Sequence, residues 1–252
     1  HEFLSTLEET SCVGGNTGWQ VAHLGLYRQT DLIGAMPLYL KQHSYGEFVF
    51  DWAWAQAYEQ NNMPYYPKAL SAIPFTPVRG PRLLVAQTAD QSVIQQVLVS
   101  GLKTLVDQNA LSSAHILFPE SSELLELEKQ GFMLRNSVQF HWQNTGYKDF
   151  EQFLADLTMK RRKNIRRERA SVAMHKISYR HIPGSIATRE DWSFFYRCYE
   201  NTYIEHRSSP YLTEECIQML GRDMPENFHL IIATLNERPI AASLLVVDQR
   251  SE

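Results

Sequence analysis

Residues 21–41 read VAHLGLYRQTDLIGAMPLYLK and contain two apolar runs on either side of a polar connection. The runs are residues 21–27 and 33–41, and the connection is residues 28–31, which is short enough for a hairpin. This pattern predicts two antiparallel strands. Pro37 lies in the second arm and cannot donate a hydrogen bond to a neighbouring strand, so we expect a bulge or a sheet edge there.

A second stretch near the end of the sequence has the same organisation. Residues 229–247, HLIIATLNERPIAASLLVV, form an apolar arm, a short polar turn at 236–238 and another apolar arm. In the second arm, residues 240–242 (IAA) resemble residues 33–35 (IGA) of the first hairpin. Helical material precedes both hairpins, which favours two copies of one α/β unit.

The remaining elements are predicted from apolar spacing and from capping residues. Gly131 is typical of the residue that ends a helix, and Thr158 is typical of an N-cap. The predicted helices are residues 2–10, 89–110, 121–130, 149–157, 159–173, 189–205 and 213–220. The predicted strands outside the hairpins are residues 115–118, 138–142 and 177–181.

The composition excludes several protein classes. The 252 residues include only three cysteines, Cys12, Cys198 and Cys216, and no CxxC pair, which argues against a disulfide scaffold and a thiolate zinc site. The nine histidines form no HExxH motif, and GxSxG is absent. No apolar run approaches the roughly 20 residues of a membrane span, and the sequence begins HEF without the basic-then-apolar pattern of a signal peptide. We therefore expect a cytoplasmic protein without a metal site.

The charge of the chain is unevenly distributed. The formal net charge is -4, yet residues 160–169, KRRKNIRRER, contain seven basic residues and one acidic residue. This decamer carries +6, so the other residues together carry -10. A local cluster on an acidic protein predicts a local anion site. In a helix, Arg162, Arg166 and Arg169 would share one face. A guanidinium group can donate two parallel hydrogen bonds to the oxygens of one phosphate.

Three segments in order resemble the Fem-type peptidyltransferases. They are the RGP at 79–81 within PFTPVRGPRLL, the GF at 131–132 within LEKQGFML, and FLADLTMKRRKNIRRERASV. Three further segments are similar to a Fem-like branch of N-acyltransferases: HEFLSTLEET, PLYLKQHSYGEFVFDWAWA and YYPK. The resemblance runs from residue 1 to about residue 248.

The resemblance implies an α/β fold with a mixed sheet, built from two tandem GNAT-like units. Residues 1–142 would be the first unit, without its first strand, and residues 143–252 the second, truncated at its C-terminal end. The chain would then be part of a longer protein. The Q/R-x-x-G-x-G/A turn that binds CoA in ordinary GNAT enzymes is absent. The resemblance leaves aminoacyl-tRNA and acyl-CoA open as donors, and implies no covalently bound cofactor.

The implied function is an acyl or aminoacyl transferase of cell-wall synthesis. A substrate amine would attack an activated acyl group directly and form an amide bond. Such a reaction needs a group that accepts the proton of the amine and a donor that stabilises the oxyanion. The aromatic segment 43–68 offers both kinds of group: His43, Glu47 and Asp51 are the candidate bases, and Tyr45, Tyr65, Tyr66 and Lys68 are the candidate donors. In a helix or a strand, the spacing of the candidate bases would bring them together.

Other residues are candidates for binding a phosphate-bearing substrate or a peptidoglycan precursor. They are Arg79 and Arg82 beside the RGP kink, Arg162, Lys163 and Arg166 on the basic helix, and Arg207 and Tyr211 in the loop after residue 205. Two other functions stay open. The chain could be an RNA-binding module that uses helix 159–173 without catalysis, or a partner-binding protein with a degenerate transferase fold. The sequence leaves the oligomeric state open.

Overall fold

The first predicted hairpin is present in the computed structural model, which describes residues 1–87 and 90–248. Strand β2 (Leu24–Arg28) pairs antiparallel with β3 (Asp31–Met36), and Arg28 lies opposite Asp31 at the turn. The second predicted hairpin is also confirmed. It consists of β9 (Phe228–Leu235) and β10 (Arg238–Val246), joined by a turn in which Asn236 and Glu237 have positive φ.

Pro37 has a larger effect than the expected bulge or edge. β3 ends at Met36, and the chain continues as β4 (Tyr39–Lys41), which belongs to a different sheet. Since proline has no N–H to donate, the ladder of β3 cannot continue through this position. One predicted arm is therefore two strands, and the second of them, β4, carries Lys41 into the core.

The structure divides into two units. Unit 1 is His1–Arg135 with Tyr211–Cys216, and unit 2 is Asn136–Pro210 with Ile217–Glu252. The architecture is mixed α/β with several sheets. In the described part of the chain, unit 1 has two sheets, with strand orders β1-β4-β5-β7 and β2-β3-β6, and unit 2 has one, with strand order β10-β9-β8. The strands not yet given are β1 (Trp19–Val21), β5 (Lys68–Ser71), β6 (Leu84–Val85), β7 (Ala114–Ile116) and β8 (Ser178–Pro183). β4 and β5 are antiparallel, and β5 and β7 are parallel.

The core of unit 1 lies between its sheets and helix α3 (Gln91–Gln108). This helix confirms the one predicted at 89–110, of which residue 89 lies outside the described residues. Val99 and Leu102 on this helix are fully buried. Gly34 lets the helix approach β3, because a Cβ at this position would lie 2.6 Å from Cγ2 of Ile94. The helix begins at Asp90, whose side chain accepts a hydrogen bond from the N–H of Val93.

The other helices also lie where the periodicity predicts them, with one addition. The addition is α2 (Trp52–Gln60), within the aromatic segment. The predicted stop at Gly131 is confirmed, since this glycine has a φ of 85° after the fourth helix ends. The remaining helices are α1 (Glu2–Glu9), α4 (Ser121–Lys129), α5 (Phe150–Ala155), α6 (Met159–Met174), α7 (Arg189–Glu205) and α8 (Glu214–Asp223).

The strand predicted at 138–142 is wrong. This segment has no strand structure, and Val138, Phe140 and Trp142 expose 78%, 98% and 66% of their surface. Alternating apolar residues form a strand only where a neighbouring strand supplies hydrogen-bond partners. Within the described residues of unit 2, the strands of the single sheet pair only with one another.

Candidate active site

The site begins with two lysines that face each other inside unit 1. Lys41 on β4 is the register partner of Lys68 on β5, and both side chains are fully buried. Like charges directly opposite each other on neighbouring strands destabilise a sheet. A buried ammonium group without partners is costlier still. The fold therefore needs acidic groups at this place.

Glu47 and Asp51 supply the acidic groups. The Lys68 ammonium donates to Glu47 Oε2 at 2.9 Å, to Asp51 Oδ2 at 2.7 Å and to Ser44 Oγ at 2.9 Å. These three bonds use all the donors of a lysine. Glu47 and Asp51 are 4% and 2% exposed, so both ion pairs are buried.

Ser44 connects this ionic cluster to a tyrosine. Its hydroxyl donates to Asp51 Oδ2 at 3.0 Å and accepts from Lys68, and it lies 2.7 Å from the hydroxyl of Tyr66. A serine hydroxyl has one donor and two acceptor sites, so with its donor on Asp51 the remaining site accepts from Tyr66. The Tyr66 oxygen keeps its own lone pairs for another donor. Asp51 Oδ2 also accepts from the buried Tyr65 hydroxyl at 2.7 Å.

The two carboxylates differ in acidity. Burial raises the pKa of Glu47, and the nearby Lys68 offsets this only in part. Burial also acts to raise the pKa of Asp51, but hydrogen bonds from Lys68, Tyr65 and Ser44 together lower it below 3.8. One oxygen of each carboxylate, Glu47 Oε1 and Asp51 Oδ1, has no hydrogen-bond partner among the described residues. Asp51 is thus the firmly ionised member of the pair.

Lys41 is less well compensated than Lys68. Its ammonium donates to the carbonyl of Tyr45 at 3.2 Å and lies 3.6 Å from the centre of the Trp19 ring. Burial lowers its pKa to about 7, while Glu47 acts in the opposite direction. Burial, and then the charge of Lys68, lower the pKa of His115 to about 4. The cluster therefore places Lys68, with its three hydrogen bonds, beside a lysine whose pKa is lowered to about 7 by burial.

A groove of about 490 Å³ opens beside the cluster. One wall is a face of α2 with residues at helical i, i+3, i+4 and i+7 spacing, and the other wall is residues 63–66. Helix α2 has no buried residue, and its N-cap position is Asp51. Tyr65 and Tyr66 contact both the groove and the cluster. The lining residues are Trp52, Ala55, Gln56, Glu59, Met63, Pro64, Tyr65 and Tyr66.

The structure brings together five of the seven candidate bases and donors: Glu47, Asp51, Tyr65, Tyr66 and Lys68. They converge although residues 42–51 form neither the helix nor the strand on which that expectation was based. His43 lies apart, with Nε2 at 3.1 Å from the carbonyl of Thr17, and Tyr45 is 57% exposed.

Sequence reasoning missed Lys41, Ser44 and His115. One signal could have revealed Lys41. Side chains of a strand alternate between its two faces, so Lys41 shares a face with the aromatic residue Tyr39, which is typical of the core. Ser44 and His115 gave no comparable signal, since each meets Lys68 or Asp51 only through the tertiary fold.

The arginines beside the RGP kink have different environments. Arg82 is 1% exposed, and its guanidinium donates to the carbonyls of Leu117, Pro81 and Val78. Arg79 is exposed and reaches Ser121 Oγ at 3.4 Å. A role of either residue in phosphate binding stays a prediction, and Arg82 would first have to release its backbone partners.

The basic helix α6 has two different faces. The predicted face of Arg162, Arg166 and Arg169 exists, but it contacts α5. Arg162 donates to the carbonyls of Ala155 and Leu157, Arg166 pairs with Glu151 at 2.5 Å, and Arg169 lies over the ring of Phe150. Helical spacing places Lys160, Lys163 and Arg167 on another face of the helix, and all three are exposed.

The last two predicted binding residues belong to different units. In unit 1, the ring of Tyr211 stacks on Phe75 with centroids 5.0 Å apart, and it makes a T-shaped contact with Phe48 with centroids 6.2 Å apart. In unit 2, Arg207 follows α7 with a φ of 55° and is exposed. Their predicted part in substrate binding stays a prediction.

Comparison with known proteins places this chain in a family. A family model described as peptidoglycan biosynthesis/recognition matches residues 1–251. The chain belongs to the FemAB-like family. This confirms the Fem-like resemblance.

The FemAB-like chain is also similar to a solved crystal structure of FemX. The two are 15% identical with a TM-score of 0.43, over 93% of this chain and 51% of the FemX chain. The chain thus spans about half the length of that structure. A search of the curated proteins found no match.

Two further observations concern the described part of the FemAB-like chain. No helix there is both long and apolar enough to cross a membrane. No group of three or more His, Cys, Asp and Glu side chains in this part is placed to hold a metal ion.

Replacing Lys41 with Met tests how burial of this second lysine affects the free energy of unfolding. Since folding lowers the pKa of Lys41 from 10.5 to about 7, the unfolded chain binds more protons between these values. The free energy of unfolding of the wild type therefore gains a component that rises with pH across this window, by at most about 1.4 kcal/mol per pH unit. We expect K41M to lack it.

Urea unfolding from about pH 7 to about pH 10 measures this component. The free energy of unfolding of K41M minus that of the wild type should fall as the pH rises. Lys129→Met, at an exposed position of α4, is the control and should give a constant difference. A constant difference for K41M as well would contradict the account.

Proposed function

We propose that this FemAB-like chain forms amide bonds on a cell-wall precursor. In the proposed reaction, a substrate amine attacks the carbonyl carbon of an activated acyl or aminoacyl group, and the bond to the leaving group then breaks. Family membership supports the setting, because the matching family is one of peptidoglycan biosynthesis or recognition. The chemistry rests on the cluster around Lys68.

One observation carries the proposal: the hydrogen-bonded path from the groove through Tyr66 and Ser44 to Asp51. An attacking amine has to lose a proton, and the leaving group has to gain one. The Tyr66 hydroxyl lies at the groove end of the path, and the firmly ionised Asp51 lies at the buried end. A path of this kind moves a proton without letting water into the cluster.

The proton balance follows from this path. A primary amine arrives mostly as an ammonium ion, so one proton leaves to solvent through the open groove before attack. During attack, a second proton passes from nitrogen to the Tyr66 oxygen, while the Tyr66 proton moves to Ser44 and the Ser44 proton moves to Asp51. Because Asp51 is a weak base, the proton does not stay there. It returns along the path and leaves with the departing group.

The cluster residues have separate roles in this scheme. Tyr66 is the proposed catalytic residue, since it would touch the reacting nitrogen. Ser44 and Asp51 are positioning residues that orient its hydroxyl, and Lys68 with Glu47 holds them in place. His43 and Tyr45 lie outside the path, and we assign them no role.

The larger framework of the enzyme is part of the same proposal. We propose two tandem GNAT-like units, residues 1–142 and 143–252, with aminoacyl-tRNA or acyl-CoA as the donor. Arg79 in unit 1 is one proposed phosphate contact, and the exposed side of α6 in unit 2 is a separate one. Lys163 lies on that side, whereas Arg162 and Arg166 contact α5.

Tyr66→Phe tests the proposed path. The variant keeps the ring and removes the hydroxyl, so we expect kcat to fall about 100-fold while KM changes little. Product is measured by mass spectrometry after incubation of the full-length protein with a cell-wall precursor that has a free amine, and with aminoacyl-tRNA or acyl-CoA. Tyr58→Phe is the matched control, because the Tyr58 ring lies 5.1 Å from Tyr65 but does not line the groove. Equal activity of Y66F and wild type would overturn the proposal.

A second candidate function is RNA binding, and the exposed face of α6 favours it. Lys160, Lys163 and Arg167 lie at i, i+3 and i+7, and no ion pair of the described residues involves them. Three adjacent cations on one side of a helix suit the spacing of a phosphate backbone. This function requires no catalysis and no groove.

Salt titration tests RNA binding. Replacing Lys160, Lys163 and Arg167 with Gln should weaken binding to tRNA and reduce the slope of log affinity against log salt by about 2, as expected for three phosphate contacts. Arg166→Gln is the control, because it removes one charge of the same helix from the side that contacts α5. If the triple variant kept the wild-type slope, this face would not bind RNA.

A further inference from the structure

The groove beside Tyr66 has a distinctive charge. Among its lining residues, Glu59 is the only acidic one, and no Lys, Arg or His is present. The rest of the lining is uncharged and includes the rings of Trp52, Tyr65 and Tyr66. A phosphate group would meet no cation there. A ligand with a positive charge would meet both a carboxylate and aromatic rings.

The geometry of α2 concentrates these features on one face. Trp52, Gln56 and Glu59 project from the same side of the helix, toward Tyr65 and Tyr66. Trp52 lines the groove and is 47% exposed, so part of its ring is accessible to a ligand. Glu59 is exposed and has no ion pair among the described residues. Both groups are available to a ligand.

The same unit already uses aromatic rings to hold ammonium groups. Lys41 Nζ lies 3.6 Å from the centre of the Trp19 ring, and Lys68 Nζ lies 5.1 and 5.6 Å from the rings of Tyr65 and Tyr66. The face of an aromatic ring attracts a cation, and the attraction grows as water is excluded. An alkylammonium ligand in the groove would also lie among aromatic rings.

We propose that the groove is a binding site for a primary alkylamine in its ammonium form. The methylene chain would pack on Trp52 and Met63, and Glu59 would attract the charged end. This proposal rests on the proposed function and adds to it, because it assigns the amine acceptor to the groove and excludes the phosphate-bearing part of either substrate from it. The amine would then lie on the same surface as the Tyr66 hydroxyl.

Calorimetric titration of the full chain with n-hexylamine tests the site, with n-hexanol and inorganic phosphate as comparison ligands. We expect hexylamine to bind more tightly than hexanol, and phosphate not to compete with it. Glu59→Gln should weaken hexylamine binding about fivefold and remove most of the preference over hexanol. Glu128→Gln, at an exposed position of α4, is the charge control and should leave binding unchanged.

Two tryptophans of α2 supply a sharper comparison. Trp52 and Trp54 are 47% and 54% exposed on the same helix, but only Trp52 lines the groove. Trp52→Ala should weaken hexylamine binding at least fivefold, and Trp54→Ala should change it less than twofold. Equal losses in the two variants, or phosphate competition for the site, would overturn the proposal.

The binding and transfer assays separate this inference from the proposed function. If the full-length Trp52→Ala and Glu59→Gln variants lost amine binding but kept wild-type transfer and KM for the acceptor, the groove would not be the acceptor site. If amine binding followed the expected pattern and no donor yielded a product, the site would stand and the transferase proposal would fail.

Discussion

The structure of unit 1 depends on the neutralisation of two lysines that face each other inside a sheet. Lys41 and Lys68 are register partners on β4 and β5, and neither reaches solvent. Glu47 and Asp51 come from the irregular segment before α2 and place their carboxylates at the Lys68 ammonium. A buried charge without a partner destabilises a protein by several kcal/mol. The irregular segment is therefore held in its conformation by charge, although it has no regular secondary structure.

The same requirement explains how a surface helix without a buried residue is anchored. α2 begins directly after Asp51, so the residue that pairs with Lys68 also sets the start of the helix. The helix face with Trp52 and Glu59 is thereby placed opposite Tyr65 and Tyr66, which themselves bond to Asp51 and Ser44. The ionic cluster and the groove thus share Tyr65 and Tyr66, and a substitution in the cluster should change the position of groove residues.

Much of the fold could be predicted from local patterns, because the hairpins and α3 follow from apolar spacing and turn residues. Glu47, Asp51 and Lys68 could be named as a group from their place in an aromatic segment, but their convergence depends on a loop conformation that no periodicity encodes. The contacts of Arg162 and Arg166 with α5 and the residues just after it could not be foreseen either. A helical pattern shows which residues share a face, but it does not show which element packs against that face. For the same reason, residues 138–142 have the pattern of a strand and lack the partner.

The most direct test of the central claim is the free energy of unfolding of Lys68 variants, measured by urea denaturation near neutral pH. Lys68→Met alone leaves Glu47 and Asp51 buried without the cation that donates hydrogen bonds to both, and should cost about 3–5 kcal/mol. The triple variant Lys68→Met, Glu47→Gln, Asp51→Asn removes all three charges and should recover most of that loss. A cost below about 1 kcal/mol for Lys68→Met, or a triple variant less stable than the single one, would contradict the account.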